Sequence, residues 1–180
     1  YVWVANEEDD TVTRLNPLEP EDAKTVEVGA GPRSIAAGGS AIWVANAGDG
    51  TVSRISRQDV EVTATIPVGS RPTAVAAGPK SVWVTDGEDA TLTEIESGNR
   101  PGEPIPVGED PRGVAVGLGA IWVASAGSNA VERFDPATGE PDGDPIPVDG
   151  EEPADIAVGD AAVYTANLGD ATVSRIDPDG

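Results

Sequence analysis

The stretch AIWVANAGDGTVSRI, residues 41–55, carries the pattern that organises the whole chain. Its aromatic run, IWVAN at 42–46, returns as VWVAN at 2–6, VWVTD at 82–86, IWVAS at 121–125 and VYTAN at 163–167. Trp3, Trp43, Trp83, Trp122 and Tyr164 are thus spaced 40, 40, 39 and 42 residues apart, too regularly for chance. A second run follows each of them: TVTRLNP at 11–17, TVSRISR at 51–57, TLTEIES at 91–97, AVERFDP at 130–136 and TVSRIDP at 172–178. Working outward, VEVG at 26–29, IPVG at 66–69, IPVG at 105–108 and IPVD at 146–149 form a third set. The fourth is PRSIAAG at 32–38, PTAVAAG at 72–78, PRGVAVG at 111–117 and PADIAVG at 153–159.

These runs are rich in Val, Ile, Thr and Trp, which suit extended backbone. Gly-Asp, Asp-Gly, Ala-Gly and Gly-Pro pairs between them suit tight turns. No stretch shows a sustained 3.6-residue period. Four short β-runs in a unit of about 40 residues predict an all-β fold, a β-propeller of four-stranded blades. The chain reads as a single propeller over 1–180, with repeat units near 1–31, 32–71, 72–110, 111–152 and 153–180. The Ala-rich run is placed innermost, where Ala36, Ala76, Ala115 and Ala157 let blades crowd near the axis. The aromatic run comes second, the TVSRI-type run third and the IPVG-type run outermost. An aromatic run that is apolar at adjacent positions reads as a strand covered on both faces, so the Trp residues are expected to pack blade on blade. The count is 18 strands, or about four and a half blades. The chain starts in a second strand and ends in a third, so the two ends are expected to be completed by the remainder of a longer chain or by another copy.

Composition removes several function classes. Eleven Lys and Arg stand against 32 Asp and Glu, a formal net charge of −21. Like charge opposes nucleic-acid phosphates and anionic membranes, and no basic stripe offsets it. With Cys 0 and His 0 there is no thiolate nucleophile, no Ser-His-Asp arrangement and no His- or Cys-based metal site. No apolar run approaches the roughly 20 residues of a membrane-spanning helix. The chain has Met 0 and opens on the strand-like YVWVAN, so a mature segment or fragment is expected.

The repeated WVAN and TVSRIDP resemble the YVTN and NHL-like β-propeller repeat superfamily. They are similar to virginiamycin B lyase-like repeats and to the extracellular propellers of some bacterial sensor kinases. The match is best in VAVGLGAIWVASAGSNAVERFDPATG at 114–139 and IAVGDAAVYTANLGDATVSRIDPDG at 156–180, and covers essentially the whole chain. Propellers host lyases, hydrolases, sensors and scaffolds alike, so the resemblance implies the fold more strongly than an activity. The lyase of this superfamily is understood to use a histidine with a divalent metal. With no His here, that activity carries over to no residue of this chain.

A binding face is expected where the second-to-third strand loops meet the outer-to-inner connections, around the mouth of the central channel. Those loops read NEEDD at 6–10, NAGDG at 46–50, DGEDA at 86–90, SAGSNA at 125–130 and NLGDA at 167–171. The candidates are Arg33, Arg71 and Arg112 with Glu7, Glu8, Asp9, Asp10, Asn46, Asp49, Asp86, Glu88, Asp89, Asn167 and Asp170. Functionally they form a polar funnel, with an arginine able to take a ligand carboxylate. Structurally, Asn46, Asp86 and Asn167 cap turns through nearby backbone and the arginines pair with loop acids. Arg14, Arg54, Arg133 and Arg175 recur in the third strand and are expected to snorkel, while Glu94 breaks the set and is expected to pair with an arginine across the blade interface. No cofactor is expected. Calcium is weighed because loops 6–10 and 86–90 are dense in carboxylates, but no loop has the EF-hand order, and diffuse cation condensation is preferred. The first functional reading is a non-catalytic ligand- or protein-binding scaffold module of a secreted or surface protein. It would take a protein, peptide or carbohydrate on the channel mouth. The rivals are a lyase or hydrolase whose catalytic residues are carboxylates or lie outside this segment, and a self-assembling repeat protein, natural or engineered.

Overall fold

The computed structural model describes residues 1–178; the last two residues of the fifth repeat unit, 179 and 180, lie outside the described residues. Among the described residues five antiparallel sheets follow one another. Blade one holds β1 (Val2–Asn6), β2 (Thr11–Leu15) and β3 (Lys24–Glu27). Blade two is β4 (Pro32–Gly38), β5 (Ala41–Asn46), β6 (Thr51–Ser56) and β7 (Val62–Pro67). Blade three is β8 (Pro72–Ala77), β9 (Val82–Asp86) and β10 (Thr91–Glu96), edged by β11 (Arg100–Pro101) and β12 (Ile105–Pro106). Blade four is β13 (Pro111–Gly117), β14 (Ala120–Ser125), β15 (Ala130–Phe134) and β16 (Ile146–Pro147). Blade five is β17 (Pro153–Val158), β18 (Val163–Asn167) and β19 (Thr172–Ile176). The innermost strands β4, β8, β13 and β17 pack side by side in sequence order. The result is a partial, unclosed β-propeller. Blade one lacks an innermost strand and blade five an outermost one, as the sequence count requires.

One outer edge differs from the expected 18 strands. Both β11 and β12 pair with β10, so the outer strand of blade three is split in two. The segment between, PGEP at 101–104, has prolines that donate no backbone hydrogen bond, and only an edge position tolerates them. Blade four repeats the device: β16 pairs over two residues, and Pro141 makes an isolated bridge to Phe134.

Packing between blades uses the alternation of side chains along each strand. Trp3 packs towards Ile42, Val44 and Ile55 of blade two. Trp43 joins Val75, Val82, Val84 and Ile95 of blade three. Trp83 joins Val114, Ile121, Val123 and Phe134 of blade four, and Trp122 joins Ile156, Val163 and Ile176 of blade five. Each aromatic residue thus fills the face of the blade that follows it. All six residues of β5 and of β14 are buried, whereas β18 alternates buried and exposed because no following blade covers it. Tyr164 is accordingly 41% exposed and Val173 70%, while Val2 and Val4 stand exposed on the first blade.

Near the axis the blades approach so closely that side chains must be small. A Cβ on Gly117 would lie 2.7 Å from Val158 Cγ1 of the next blade, and one on Gly38 would collide with the Ala77 Cβ. In the third strands, Arg14 is buried instead of snorkelling, its guanidinium 4.3 Å from the centre of the Tyr1 ring. Arg54 and Arg133 lie over Trp43 and Trp122 at 5.7 and 5.8 Å. Glu94 departs from expectation: its side chain makes no ion pair among the described residues, because it stands opposite Trp83 on the face towards blade four, whereas Arg54 stands opposite Trp43 on the face towards blade three.

The turns between second and third strands share one backbone feature. Asp10, Gly50, Ala90, Asn129 and Ala171, each just before or at the start of the third strand, all have a left-handed φ between 48° and 71°. An alanine there carries a steric cost that glycine lacks. Replacing Ala90 by glycine should therefore raise folding stability by about 0.5–1 kcal/mol despite the extra freedom gained by the unfolded chain. Urea titration checks this, and a loss of stability would show that the turn is held in that conformation without strain.

Candidate functional site

The second-to-third strand loops and the crossovers between blades lie on one face because each loop is hydrogen-bonded to the crossover entering its blade. The amides of Ala47, Gly87, Ala126 and Leu168 donate to the carbonyls of Gly31, Arg71, Asp110 and Glu152. Loop side chains add to this. Asp49 accepts from the Ala30 amide at 3.0 Å, Asp89 from the Ser70 amide at 2.9 Å, and Asp10 from the Gly31 amide at 2.8 Å. The Thr172 hydroxyl, hydrogen-bonded at 2.7 Å, holds the Asp170 carboxyl below its ordinary pKa, with help from the Glu151 and Thr172 amides.

Beneath this layer sits a buried polar residue in each of blades two to five. Asn46 donates to the hydroxyls of Thr51 (3.0 Å) and Ser53 (2.9 Å), and Asn167 to those of Thr172 (3.0 Å) and Ser174 (2.8 Å). These two bond hydroxyls of the neighbouring strand, not the nearby backbone expected of turn caps. Asp86 does cap its turn, accepting from the amides of Arg71, Glu88 and Asp89. In blade four the sizes are exchanged: Ser125 stands where Asn46 does, and Glu132, in place of Ser53, accepts from Ser125 and from the Gly108 amide. A Cβ on Gly29 would sit 2.6 Å from both Asn46 Nδ2 and Asp49 Oδ2, so the glycine lets the crossover lie directly on the asparagine.

Two of the three arginines are placed by a repeated irregularity. In β4, β8, β13 and β17 the pairing skips one residue after the proline, leaving Arg33, Thr73, Arg112 and Ala154 as bulged residues. A bulge redirects its side chain out of the ladder. Arg33 and Arg112 from these bulges, and Arg71 from the crossover just before Pro72, line one cavity of about 620 Å³ with Ser34, Thr73, Ala74, Asp110, Ala154, Asp155 and Leu168. Arg112 is fully engaged: its Nε and Nη2 meet Asp110 Oδ2 at 2.8 and 2.7 Å, and Nη1 reaches Glu152 at 3.4 Å. Arg71 lies 3.9 Å from Asp110, and Arg33 4.0 Å from Glu7 of the preceding blade.

Of the other candidates, Glu7 reaches the cavity only through Arg33. Glu8, Asp9 and Glu88 are exposed on the rim, and Asn46, Asp49, Asp86, Asp89, Asn167 and Asp170 serve the loop framework. Sequence reading missed Ser34, Asp110 and Asp155. The Pro32-Arg33 and Pro111-Arg112 pairs in equivalent places were the available signal for the bulges. Among the described residues no three acids are grouped to hold a metal ion, loops 6–10 and 86–90 included.

No family model matches the chain, and no curated protein does. Solved structures do. A catalytically inactive virginiamycin B lyase from Staphylococcus aureus, solved with quinupristin, superposes with a TM-score of 0.82 at 16% identity, over 97% of this chain and 65% of that one. Hydrazine synthase from Kuenenia stuttgartiensis gives 0.76 at 21% identity, over 82% of this chain and 46% of its own. Glutaminyl cyclase from Myxococcus xanthus gives 0.63 at 12%, over 82% and 66%. The chain spans less than two thirds of the lyase and synthase chains. At these identities the likeness shows a β-propeller-type fold and nothing of the chemistry.

Proposed function

We propose that this chain is part of a non-catalytic binding or scaffold propeller of a secreted or cell-surface protein, related to the YVTN and NHL-like repeats, that takes a peptide, carbohydrate or protein ligand on its channel-mouth face. One observation carries the reading: three of the 11 basic residues of a strongly acidic chain converge, from three successive blades, on a single cavity. Residues repeated for the sake of the blade would be paired within the blade, as Asn46 and Asn167 are. Arg33 and Arg71 instead make long ion pairs with loop acids, to Glu7 at 4.0 Å and to Asp110 at 3.9 Å, and no hydrogen bond of either guanidinium forms among the described residues. A cleft of about 620 Å³ is within the usual range for small-ligand sites.

The reading is tested by recording amide NMR spectra while oligosaccharides and short peptides are titrated, with the ligand recovered afterwards. Ligands of this face should move the amides of Arg33, Arg71 and Leu168, leave those around Pro79 and Lys80 still, and be recovered unchanged. Conversion of the ligand would support a propeller enzyme. Shifts confined to the 79–80 turn would put the binding face elsewhere.

A further inference from the structure

We propose that the cavity recognises an acidic saccharide, with the carboxylate of a sugar acid held between Arg33 and Arg71 and a ring hydroxyl donated to Asp155. The proposal rests on the reading of the channel mouth as a binding face and names what it binds.

The donors come first. Among the described residues neither guanidinium makes a hydrogen bond; their ion-pair partners, Glu7 and Asp110, stand at 4.0 and 3.9 Å. Each side chain is nearly half exposed, so water solvates it in the free protein. Arg112, by contrast, is held by Asp110 and Glu152, and its charge is answered. The lining therefore has two arginines on adjacent blades, two and three, whose charges are met only by long ion pairs at 4.0 and 3.9 Å that leave their N–H donors free for a ligand. Planar guanidinium forks pair with carboxylate oxygens through paired N–H donors. Ser34 adds a neutral donor, because its Oγ accepts from the Val75 amide at 3.1 Å and its own proton is left over. Thr73 adds none, since its hydroxyl meets the Pro111 carbonyl at 2.6 Å.

The acceptor lies across the cavity on blade five. Asp155 Oδ1 takes the Ile156 amide at 2.8 Å, and Oδ2 has no donor. A carboxylate with one oxygen free among the described residues, lining the cavity, repels a purely anionic guest and favours one that brings hydroxyl protons. The remaining walls are Asp110, whose Oδ2 is taken by Arg112, and Ala74, Ala154 and Leu168, with no aromatic side chain among the lining residues. Donors on one side and an acceptor on the other fit a molecule with a carboxylate and hydroxyls together. They fit a simple dicarboxylate or inorganic phosphate less well, since these have little or nothing to donate to Asp155.

Isothermal titration of the 180-residue chain with trigalacturonate, neutral galactotriose and inorganic phosphate decides the matter. Trigalacturonate should bind, and the Arg33→Ala/Arg71→Ala double variant should bind it at least about 10-fold more weakly with an unchanged melting temperature, because both side chains are exposed and free of hydrogen bonds. Raising salt should weaken binding to the unaltered protein in parallel, as expected for partly exposed charges. Tighter binding of phosphate than of trigalacturonate would overturn the carboxylate assignment. Equal affinity for galactotriose, or an unaffected double variant, would overturn the oxyanion grip. If galactotriose then moved the amides of Arg33 and Leu168, the channel-mouth reading would survive its loss. No binding of trigalacturonate at all would overturn the proposal.

Discussion

Trp122→Ala will cost roughly 3–5 kcal/mol of folding stability, whereas Tyr164→Ala, at the same place in the next repeat, will cost under about 1 kcal/mol. The two residues differ in what covers them. Trp122 is fully buried, packs on Ile156, Val163 and Ile176 of blade five, and donates its indole N–H to the Gly117 carbonyl at 3.0 Å. Truncation opens a cavity between two sheets that cannot collapse onto it, and it leaves Arg133 without the ring beneath its guanidinium. Tyr164 stands on a face that no following blade covers. A protein of this size has about 5–15 kcal/mol to lose, so the first change threatens the docking of blade five and the second does not. Urea unfolding of both variants separates the cases. Equal losses would show that the aromatic repeat acts within its own blade and not as a wedge against the next.

Gly29→Val should destabilise the protein by about 3 kcal/mol, while Gly39→Ala should cost only about 1 kcal/mol. Gly29 lacks the left-handed φ of Gly39, so the effect is packing. Even its first side-chain carbon would overlap Asn46 and Asp49. Asn46 is completely buried and tied to two hydroxyls, and Asp49 anchors the Ala30 amide. Moving them leaves buried polar groups unpaired, which adds to the steric cost. Gly39 has φ +56° and nothing within 4 Å of its would-be Cβ, so only the left-handed backbone is penalised. Thermal or chemical denaturation gives the comparison. A mild effect at Gly29 would mean that the crossover floats over the asparagine instead of resting on it.

The periodicity at 40 residues made the blade legible because each strand's burial on two faces leaves its mark in that strand's own residues. IWVAN at 42–46 reads as doubly covered, and β5 is. The short Ala-rich run marked the axis, where Gly38 and Gly117 meet the next blade. The split outer edge of blade three was harder to see, since it depends on which side of an edge strand remains unpaired after Pro101 and Pro104. In the site, the three arginines could be named from their place beside the prolines. Their partners could not: Arg112 takes Asp110 twice while Arg71 is left 3.9 Å from it, a difference set by side-chain reach in space.

The sequence by itself determined the strand pattern, the order of strands in each blade, the sheets left one strand short and the charge that disfavours nucleic acid. All of these follow from local periodicity and composition. Tertiary structure alone decided that Trp122 is sealed while Tyr164 is open, and that Arg33, Arg71 and Asp155 face one cavity. Equivalent residues carry equivalent letters, but burial depends on the neighbouring blade, and a site at the axis is assembled from residues one or more repeats apart, Arg33 among them at a bulge.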